Sequence, residues 1–460
     1  MNNIRVLKFG GTSMGDENTW RKVLDIAAGY QQPVIVVSAT SNTTRQLLAA
    51  GEEALNDLDK ALETSQNIRS RHEVLIERFL DQFDSNTTGS RQQCQDWIEK
   101  KIDELEKHLH KINEQVEFSD QRKDAVASIG EQLSSGLLSI CGKVYGLETT
   151  FIDARDIIKT DSDFGQANPD TERIDQQSRR IRAKVEKGEI PVLGGYYGEN
   201  SDGQITTLGF EGSDYTASLV GAALDSEAIE IWTDVSGIFT CDPRLVEDAV
   251  SIPEISFREA TEMAYFGARV LHPSTLKPAA EKRIPVYVRN IFEPDHPGTK
   301  IYATADSNGP VRALTFLENV IILTVNAPST LMGYHFLSNV FATLERHHIT
   351  VDVVTTTEAS VSIAMERPDK LDLITRELED IGEVTSTERQ GLISLIGFGL
   401  SNVDAITSRV FSSIKGDPLS LISFSRDKRN LNLILPENHL VETVRSIHHS
   451  LFTKEFSTKP

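Results

Sequence analysis

Cysteine is scarce in this chain of 460 residues, and its three cysteines, Cys94, Cys141 and Cys241, lie far apart. They lack the paired spacing of a zinc site or a redox dithiol, so a disulfide framework is excluded and a reducing, cytoplasmic compartment is expected. Positive charge is also in short supply, because 47 basic residues face 68 acidic ones and the formal net charge is −21. That sign argues against nucleic acid or an anionic membrane as a partner.

Long hydrophobic runs are absent, and the longest apolar stretches, such as residues 33–39 and 320–325, have the length of a strand. The amino terminus reaches a lysine and two glycines before an apolar run of signal-peptide length could form. We therefore expect neither a signal peptide nor a membrane span. Hydrophobic residues make up 39% of the chain and charged residues 25%, which is typical of a globular protein and excludes disorder as its main state.

The chain is long enough for about three domains. Its first 300 residues alternate β-branched runs with amphipathic stretches, which predicts an α/β domain with a mainly parallel sheet. A polar, turn-rich linker at 304–310 follows, and beyond it a βαββαβ pattern occurs twice, which predicts two ferredoxin-like units. The predicted domains are residues 1–303, 311–390 and 391–460.

Two local patterns are informative. Residues 94–117 are rich in Glu and Lys at three- and four-residue spacing, which predicts a helix with a solvated, non-binding face. The dipeptide Asp202-Gly203 predicts a β-hairpin with a type I′ turn.

The sequence Lys-Phe-Gly-Gly-Thr-Ser at residues 8–13 leaves a predicted strand and enters a predicted helix. Paired glycines let the backbone approach a ligand, amides at a helix start attract anions, and Lys8 supplies a cation, so the segment suits a phosphate cradle. The alternative is a tight strand-to-helix turn with a surface lysine. It is not a Walker A loop, since the sequence contains no G-x-x-x-x-G-K-[ST].

The same segment also permits a hydrolase. Residues 11–15, Gly-Thr-Ser-Met-Gly, match the G-x-S-x-G nucleophile elbow of α/β hydrolases. Only one predicted strand precedes Ser13, however, whereas the elbow usually lies well inside a sheet. Lys8 and Gly10 would have no role in acyl transfer, so the hydrolase is the weaker alternative.

Two later loops carry candidate groups. Residues 206–217 form a second glycine-bearing loop that opens onto a helix, where Asp214 is either the helix N-cap or a carboxylate that orients a lysine. Residues 232–244 end a strand and continue with an aromatic residue, two carboxylates and an arginine. Loops at the carboxyl ends of strands bind ligands in open α/β sheets, and the alternative here is an ordinary turn at Asp242-Pro243.

Taken together, these motifs resemble those of aspartokinases and occur in the same order. The matching segments are residues 8–13, 38–39 with Thr44, 130–131, 207–217, 232–235, 242–244 and 266–273. The tail, above all residues 349–358, resembles the tandem ACT units of that family. The resemblance covers essentially the whole chain and includes no appended homoserine dehydrogenase.

The resemblance implies an amino acid kinase-like three-layer domain and phosphoryl transfer from ATP, with Mg²⁺ carried on the nucleotide and no separate metal site, to the β-carboxylate of aspartate. Lys8 neutralises charge on the transferring group, and Asp214 orients Lys8 and the cation at Arg269. The residues implied to bind ATP are Gly10, Gly11, Ser13, Thr233, Asp234, Phe239, Asp242, Arg244 and Arg269. Those implied to bind the amino acid are Ser38, Thr44, Arg45 and Glu131, with Glu131 suited to its ammonium group.

Three positions depart from the family pattern. Phe210 stands where an arginine usually receives a substrate carboxylate, Arg269 replaces a lysine, and Phe239 replaces a tyrosine. Losing that arginine without compensation weakens aspartate use tens to hundreds of fold. Arg45, where many relatives carry asparagine, is our hypothesis for the missing guanidinium; the alternative is an exposed arginine at a helix start. Altered substrate choice, or an amino-acid sensor with weak turnover, remains the other interpretation.

The paired ACT-like units imply regulation. The resemblance predicts a homodimer or homotetramer that assembles through these units and is inhibited by an end-product amino acid, lysine or threonine. The implied effector-binding residues are Met332, Asp352, Thr357 and Glu358. Gly333 and His335 depart from the lysine-sensitive type, so the effector is left open between the two.

Overall fold

The chain folds into two compact units. The first comprises Met1–Ile238, Pro253–Phe257 and Leu271–Ala305, and the second comprises Phe239–Ile252, Arg258–Val270 and Asp306–Pro460. The predicted linker at 304–310 lies outside the described residues, and the three predicted domain limits stay a prediction. The computed structural model describes residues 3–83, 87–268, 271, 273–303, 311–328, 334–397, 403–414, 416, 418–425 and 430–452.

Short β-branched segments form the strands of the first unit, as their composition predicts. In chain order these are β1 (Ile4–Phe9), β2 (Gln32–Val37), β3 (Thr149–Ile152), β4 (Ile190–Gly194), β5 (Tyr197–Glu199), β6 (Ile205–Thr207), β7 (Ala228–Thr233), β8 (Glu254–Ser256), β9 (Val286–Asn290) and β10 (Thr299–Tyr302).

The main sheet of the first unit has the order β3-β4-β2-β1-β7-β9-β10-β8. Its neighbouring strands run parallel except β9 and β10, which are antiparallel. The predicted α/β class with a mainly parallel sheet is therefore confirmed. β5 and β6 pair as the predicted hairpin.

The type I′ turn predicted for that hairpin is wrong. A type I′ turn needs positive φ at both central residues, and at Asp202-Gly203 only the glycine has it, with φ 74°. The reason is Asn200, whose side-chain oxygen accepts from the amides of Asp202 at 3.0 Å and Gln204 at 2.9 Å. This Asx-type bonding closes a longer loop than two residues.

Amphipathic helices cover the sheet. The buried residues of the fourth helix, among them Ile98, Ile102, Leu105 and Leu109, recur at three- and four-residue spacing and pack into the largest core cluster. The helices as far as residue 282, of which α9 lies largely in the second unit, are α1 (Glu17–Ala28), α2 (Thr43–Ala54), α3 (Leu58–Leu80), α4 (Thr88–Gln115), α5 (Asp120–Tyr145), α6 (Thr171–Gln177), α7 (Arg179–Val185), α8 (Gly212–Ala223), α9 (Phe257–Tyr265) and α10 (Pro273–Lys282).

The second unit contains an antiparallel sheet with the order β12-β13-β11-β14-β16-β15. Its helices bury one face each against this sheet in two separate apolar clusters. The elements are β11 (Ala313–Asn326), α11 (Tyr334–Arg346), β12 (Val353–Thr356), β13 (Ser360–Glu366), α12 (Leu371–Glu379), β14 (Glu383–Ile396), α13 (Val403–Ser413), β15 (Leu421–Phe424), β16 (Asn430–Pro436) and α14 (Glu437–Phe452).

Two ferredoxin-like motifs share this sheet, as predicted, but they are interleaved in sequence. The pattern after residue 391 offers only three strands for the second motif. Residues 313–317, the first part of β11, supply the fourth by pairing with residues 392–396 of β14. The second part of β11 and the first part of β14 belong to the other motif, so the first motif is inserted within the second.

Within the part of the chain that the structure describes, no helix combines the length and apolar character that crossing a membrane requires.

Candidate active site

The candidate site lies at the carboxyl edge of the parallel sheet in the first unit. Strands β4, β2, β1 and β7 are neighbours there, so the loops that follow them meet at one edge. From β1 the chain moves to β2 on one side, whereas β7 continues to β9 on the other. Ligands of open α/β sheets bind in the crevice at such a reversal.

A buried ion pair occupies this edge. Lys8, near the end of β1, places Nζ 2.8 Å from Oδ1 of Asp214, and both side chains are 9% exposed. Asp214 lies in the first turn of α8, whose N-cap is Glu211. The alternatives of a surface lysine and of an N-cap role for Asp214 are therefore wrong, and the structure brings the two residues predicted to be catalytic together.

The first glycine loop is a turn rather than a helix start. The Gly10 amide donates to Trp232 O at 3.2 Å, and α1 begins only at Glu17. Two amides of the first turn of α1 are bonded to its N-cap, because Asp16 Oδ1 accepts from Asn18 N at 3.0 Å and Thr19 N at 2.8 Å. The prediction that this segment leads directly into a helix is thus wrong, because α1 begins at Glu17. Phosphate binding by Gly10, Gly11 and Ser13 stays a prediction that depends on loop amides and Lys8.

Ser13 does not have the geometry of a nucleophile. Its side chain is completely buried, and its hydroxyl donates to the backbone carbonyl of Trp232 at 3.2 Å. A hydrolase serine donates instead to a general base and is open to substrate. The sequence match to the nucleophile elbow is therefore coincidental.

Glu131, on α5, presents a buried carboxylate to the site. The residue is 4% exposed, and its Oε1 accepts from Ala39 N at 3.1 Å. Its Oε2 is buried and has no hydrogen-bond partner among the described residues. Burial raises the pKa of Glu131 to about 8, although the Ala39 amide and the Lys8 charge lower it. A buried carboxylate with one open oxygen is suited to a cationic ligand group.

The loop after β2 connects these elements. Ser38 N donates to Phe9 O at 3.0 Å, and Ser38 O accepts from the Ser134 hydroxyl at 2.8 Å. Thr44 is half-buried in the first turn of α2, and Arg45 beside it is exposed. Arg45 forms no ion pair with any residue described, so the geometry resembles the alternative of a solvent-facing arginine at a helix start.

A hydrogen-bond relay holds the loop after β2 in place, and sequence reasoning missed it. His72 is 1% exposed, and burial lowers its pKa to about 4, so the ring is neutral. Its Nδ1 lies 2.8 Å from the Ile68 carbonyl, which can only accept. The proton is therefore on Nδ1, and Nε2 accepts from the Thr40 hydroxyl at 3.0 Å. Thr40 in turn accepts from the Thr43 hydroxyl at 2.6 Å.

Arg71, next to His72 on α3, was missed as well. Its guanidinium donates to the carbonyl oxygen of Ser41 and, at 3.2 Å, to the side-chain oxygen of Gln46. Burial lowers its pKa. Neither residue of α3 could be found by motif, because their contacts with the loop arise only when α3 packs on α2.

Tyr196, also missed, follows β4 in a strained conformation. Its φ is 73°, which is rare for an aromatic residue, and its amide donates to the Thr216 hydroxyl at 3.0 Å. Burial raises the pKa of its phenol to about 12, and the negative charge of Glu131 adds to this effect. The signal available was the sequence Gly-Gly-Tyr-Tyr-Gly directly after a buried strand.

Asp124 holds the strand that leads into the second glycine loop. It is 2% exposed and accepts from Gly165 N and Thr207 N, both at 2.9 Å, and from Thr207 Oγ1 at 2.6 Å. The loop then turns through Gly209, with φ 79°, and Glu211, with φ 54°. Phe210 between them is 78% exposed.

We expect Asp124→Ala to lower the free energy of unfolding by about 3 kcal/mol or more, because three buried donors lose their acceptor. Denaturant unfolding of the purified variant measures this loss. The matched control is Asp175→Ala, which removes an exposed aspartate of α6. A change below about 1 kcal/mol in Asp124→Ala would contradict the role given to this side chain.

The predicted nucleotide residues fall in both units. Thr233 ends β7 in the first unit, and its hydroxyl donates to Asp234 Oδ1 at 3.3 Å. Phe239, Asp242 and Arg244 lie in the second unit. Asp242 Oδ2 accepts from Arg244 Nη2 at 2.7 Å. Asp242 O accepts from Leu245 N at 3.0 Å, so the turn of the alternative interpretation is present. Arg269 lies outside the described residues.

The predicted effector residues lie at the two ends of β12. Asp352 precedes the strand, and burial together with the nearby Glu366 charge raises its pKa to about 6. Its Oδ2 has no hydrogen-bond partner among the described residues. Thr357 and Glu358 are exposed beyond the other end, roughly 17 Å along an extended strand. Within one chain these residues do not surround one small molecule, and Met332 lies outside the described residues.

Comparison with known proteins adds to this geometry. The model of the amino acid kinase family matches residues 3–290. The chain is 33% identical over 475 residues to aspartokinase 2, chloroplastic, of Arabidopsis thaliana, covering 97% of this chain and 84% of that protein. It is 31% identical over 463 residues to lysine-sensitive aspartokinase 3 of Escherichia coli (strain K12), covering 98% and 100%.

Solved structures of aspartokinases also resemble this chain. The fold is similar to that of E. coli aspartokinase III in complex with aspartate and ADP in the R-state, with a TM-score of 0.84, 31% identity and coverage of 98% and 100%. The TM-score is 0.79 for the T-state complex with lysine and aspartate. Family model, relatives and fold agree, so the chain belongs to the amino acid kinase family and, within it, to the aspartokinases, and it is an enzyme, an aspartate kinase.

Proposed function

We propose that this enzyme transfers the γ-phosphoryl group of ATP to the β-carboxylate of L-aspartate, which yields 4-phospho-L-aspartate and ADP. The reaction is the first step toward lysine, threonine, methionine and isoleucine. The observation that carries the proposal is the buried Lys8–Asp214 ion pair, at 2.8 Å, on the same sheet edge as the Glu131 carboxylate. The E. coli relative that binds aspartate and ADP supports it.

The chemistry follows from the charges at this edge. The substrate carboxylate is itself the nucleophile, so no general base is required. Lys8 supplies a fixed positive charge to the transferring phosphoryl group, and Asp214 keeps that ammonium in place. Because the ion pair exists before substrate binds, little reorganisation accompanies the reaction.

Magnesium enters on the nucleotide in this proposal. Within the described residues, no group of three or more His, Cys, Asp or Glu side chains could hold a metal ion by itself. Mg²⁺ commonly keeps several waters and binds through phosphates and only one or two carboxylates, so a dedicated cage is not required. When bound, it neutralises phosphate charge during transfer.

Nucleotide binding is proposed for residues on the loops after β1 and β7. Gly10, Gly11 and Ser13 line the turn that packs on β7, and their backbone lies close to Lys8, whose Nζ is 3.6 Å from the position of a Cβ on Gly10. The remaining proposed nucleotide contacts are Thr233, Asp234, Phe239, Asp242, Arg244 and Arg269.

The amino acid is proposed to bind between α5 and the loop after β2. Glu131 accepts the substrate ammonium through its open Oε2, and Ser38 and Thr44 contact the same ligand. Arg45 is proposed to receive the carboxylate that an arginine at position 210 receives in other aspartokinases. Its exposed position leaves the guanidinium free to turn toward a bound ligand.

We expect Arg45→Ala to raise KM for aspartate about tenfold or more, because a charge-assisted hydrogen bond is lost. Steady-state kinetics at saturating ATP measures this KM. Arg69→Ala, which removes another solvent-accessible arginine from a neighbouring helix, is the control and leaves KM unchanged. An unchanged KM in Arg45→Ala would contradict the role proposed for Arg45.

Feedback inhibition by lysine is proposed for the second unit. Asp352 has a buried, open carboxylate oxygen, which suits the ammonium group of an amino acid. The E. coli relatives named as lysine-sensitive and as a lysine complex favour lysine over threonine. Because Thr357 and Glu358 lie at the other end of β12, a complete site needs residues from a second copy.

We expect Asp352→Asn to raise the lysine concentration for half-inhibition at least tenfold while kcat stays within twofold. Inhibition curves at fixed substrate concentrations measure this, with the exposed Asp369→Asn as the matched control. Wild-type inhibition in Asp352→Asn would contradict the assignment.

Assembly through the second unit is proposed as a homodimer or homotetramer. Strands β12 and β15 are the edges of its sheet, and Val354, Ile422 and Phe424 on them are exposed apolar residues. Unpaired edges with apolar side chains are suited to pairing with another copy.

The test of the proposed function is ATP turnover with a panel of amino acids that includes aspartate and glutamate. Turnover with aspartate alone supports it. Because Phe210 replaces an arginine, turnover with another amino acid, or binding without turnover as in a sensor, is the result that would overturn it.

A further inference from the structure

A cavity lies in the first unit, outside the residues assigned to catalysis. Its volume is about 280 Å³, and it lies between α4, α5, the 3₁₀ helix Ala154–Asp156 and the start of β6. The Glu- and Lys-rich stretch of α4, predicted to be a solvated face, forms one wall of it. The lining residues that matter for its chemistry are Glu104, Lys107, His108, Lys111, Gln132 and Arg155.

The wall of the cavity carries net positive charge, although the protein as a whole carries net negative charge. Lys107, Lys111 and Arg155 line it with the single carboxylate of Glu104, whereas the chain as a whole carries −21. Arg155 is paired with Asp153 outside the lining, whose Oδ2 lies 2.6 Å from Arg155 Nη2. Glu104 is already neutralised, because its Oε2 lies 2.8 Å from Lys101 Nζ. Lys107 and Lys111 form no ion pair with the residues described. Two cations of this wall therefore lack a counter-charge.

The floor of the cavity is polar and buried. Gln132 is 2% exposed, and its side-chain oxygen accepts from Lys101 Nζ at 2.7 Å. Lys101 itself is 3% exposed. Burial lowers its pKa, and the charges of Lys100 and Arg155 lower it further. Lys101 is paired with Glu104, so the buried end of the cavity adds hydrogen-bonding groups and no unpaired charge.

His108 adds a neutral hydrogen-bonding group to the wall. Burial lowers its pKa, and the nearby charges of Lys111 and Arg122 have the same effect. A neutral imidazole donates through one nitrogen and accepts through the other. Arg122 also has a buried Nη1 without a hydrogen-bond partner among the described residues.

We propose that this cavity binds a small anion with two or more negative charges, either a polycarboxylate or a phosphate monoester. Lys107 and Lys111 lie one helical turn apart and supply the charge that meets the ligand, while Arg155, held by Asp153, borders the cavity on the other side. The cavity has none of the residues assigned to ATP, aspartate or effector, so the proposal is independent of the proposed function. It adds an anion site within the kinase unit itself.

Isothermal titration of the full-length protein with citrate and, separately, with inorganic phosphate tests the proposal. ADP and aspartate are present at saturating concentration, so that the kinase site is filled. Wild type is expected to bind at least one of the two probes with one site per chain and with affinity that falls as salt increases. Citrate binding identifies a polycarboxylate site, and phosphate binding identifies a phosphate ester site.

The double variant Lys107→Gln/Lys111→Gln is expected to lose at least tenfold in affinity. The matched control is Lys100→Gln on the same helix, whose ammonium lies 5.6 Å from the centre of the Trp97 ring and not in the cavity wall. The control keeps wild-type affinity, and both variants keep wild-type turnover. Absence of heat for both probes in wild type, or equal affinity in the double variant, would overturn the proposal.

Discussion

Lys8→Met is expected to lower kcat about 1,000-fold or more. The substitution keeps a long, flexible side chain on β1 but removes the charge that we propose to neutralise the transferring phosphoryl group. It also leaves Asp214 as a buried carboxylate without its partner, which costs about 3 to 5 kcal/mol of stability. Turnover assays and denaturant unfolding measure the two effects separately.

The double variant Lys8→Met/Asp214→Asn separates catalysis from folding. Because neither side chain is charged, the penalty of an unpaired buried carboxylate disappears, and stability is expected to return to within about 1 kcal/mol of wild type. Activity is expected to stay lost, because the ammonium group is still missing. Recovery of activity together with stability would show that the ion pair serves folding alone.

Glu131→Gln is expected to raise KM for aspartate about 10- to 100-fold with a smaller change in kcat. A charge-assisted hydrogen bond to the substrate ammonium contributes about 1.5 to 3 kcal/mol, and the neutral amide forfeits most of it. The matched control is Gln132→Glu, which places a carboxylate at the next position of α5, where the side chain faces away from Ala39. A KM within twofold of wild type in Glu131→Gln would contradict the assignment.

The pH dependence of the same residue gives an independent check. Because the pKa of Glu131 is about 8 before substrate binds, the carboxylate is largely protonated at pH 6.5 and ionised above pH 8. KM for aspartate is therefore expected to fall as pH rises through this range in wild type. Glu131→Gln removes the titrating group, so its KM is expected to vary much less over the same range.

The stability of the folded protein is expected to fall over the same pH range in which aspartate binding improves. In the folded protein burial raises the pKa of Glu131 from 4.5 to about 8, so the unfolded chain releases this proton first as pH rises. The contribution of Glu131 to the free energy of unfolding is thus lost between pH 4.5 and 8. Glu131→Gln is expected to be more stable than wild type at pH 8, by a few kcal/mol at most, and unfolding at pH 5 and 8 measures the difference. The residue would favour binding at the expense of stability.

The sequence predicted the charged residues of the site, but not the residues that hold its loops in place. Lys8 lies near the end of a buried strand, and Asp214 lies where a glycine loop opens onto a helix, so both positions could be recognised from local pattern. Their contact also depends on β1 and β7 being neighbours in the sheet, whereas the alternating strands and helices predicted only that the sheet is mainly parallel. His72 could not be found in this way, because its role arises from the packing of α3 against the loop at Thr40.

Two local errors have physical causes. Helix α1 begins at Glu17, beyond the glycine loop, because Asp16 and Thr19 form a capping box in which each side chain accepts from the backbone amide of the other. The fourth strand of the second ferredoxin-like motif was missed because Glu318 and Asn319 interrupt the apolar run at a bulge. Asn319 has φ 56° there, and the strand continues on both sides of it. A break in the pattern therefore indicated a kink rather than an end.

Trapping the product with hydroxylamine tests the central claim most directly. An acyl phosphate reacts with hydroxylamine to give a hydroxamate, whereas simple ATP hydrolysis gives none. The account predicts aspartate hydroxamate that requires both ATP and aspartate and that disappears in Lys8→Met/Asp214→Asn. ATP turnover without hydroxamate, or hydroxamate formed from another amino acid and not from aspartate, would contradict it.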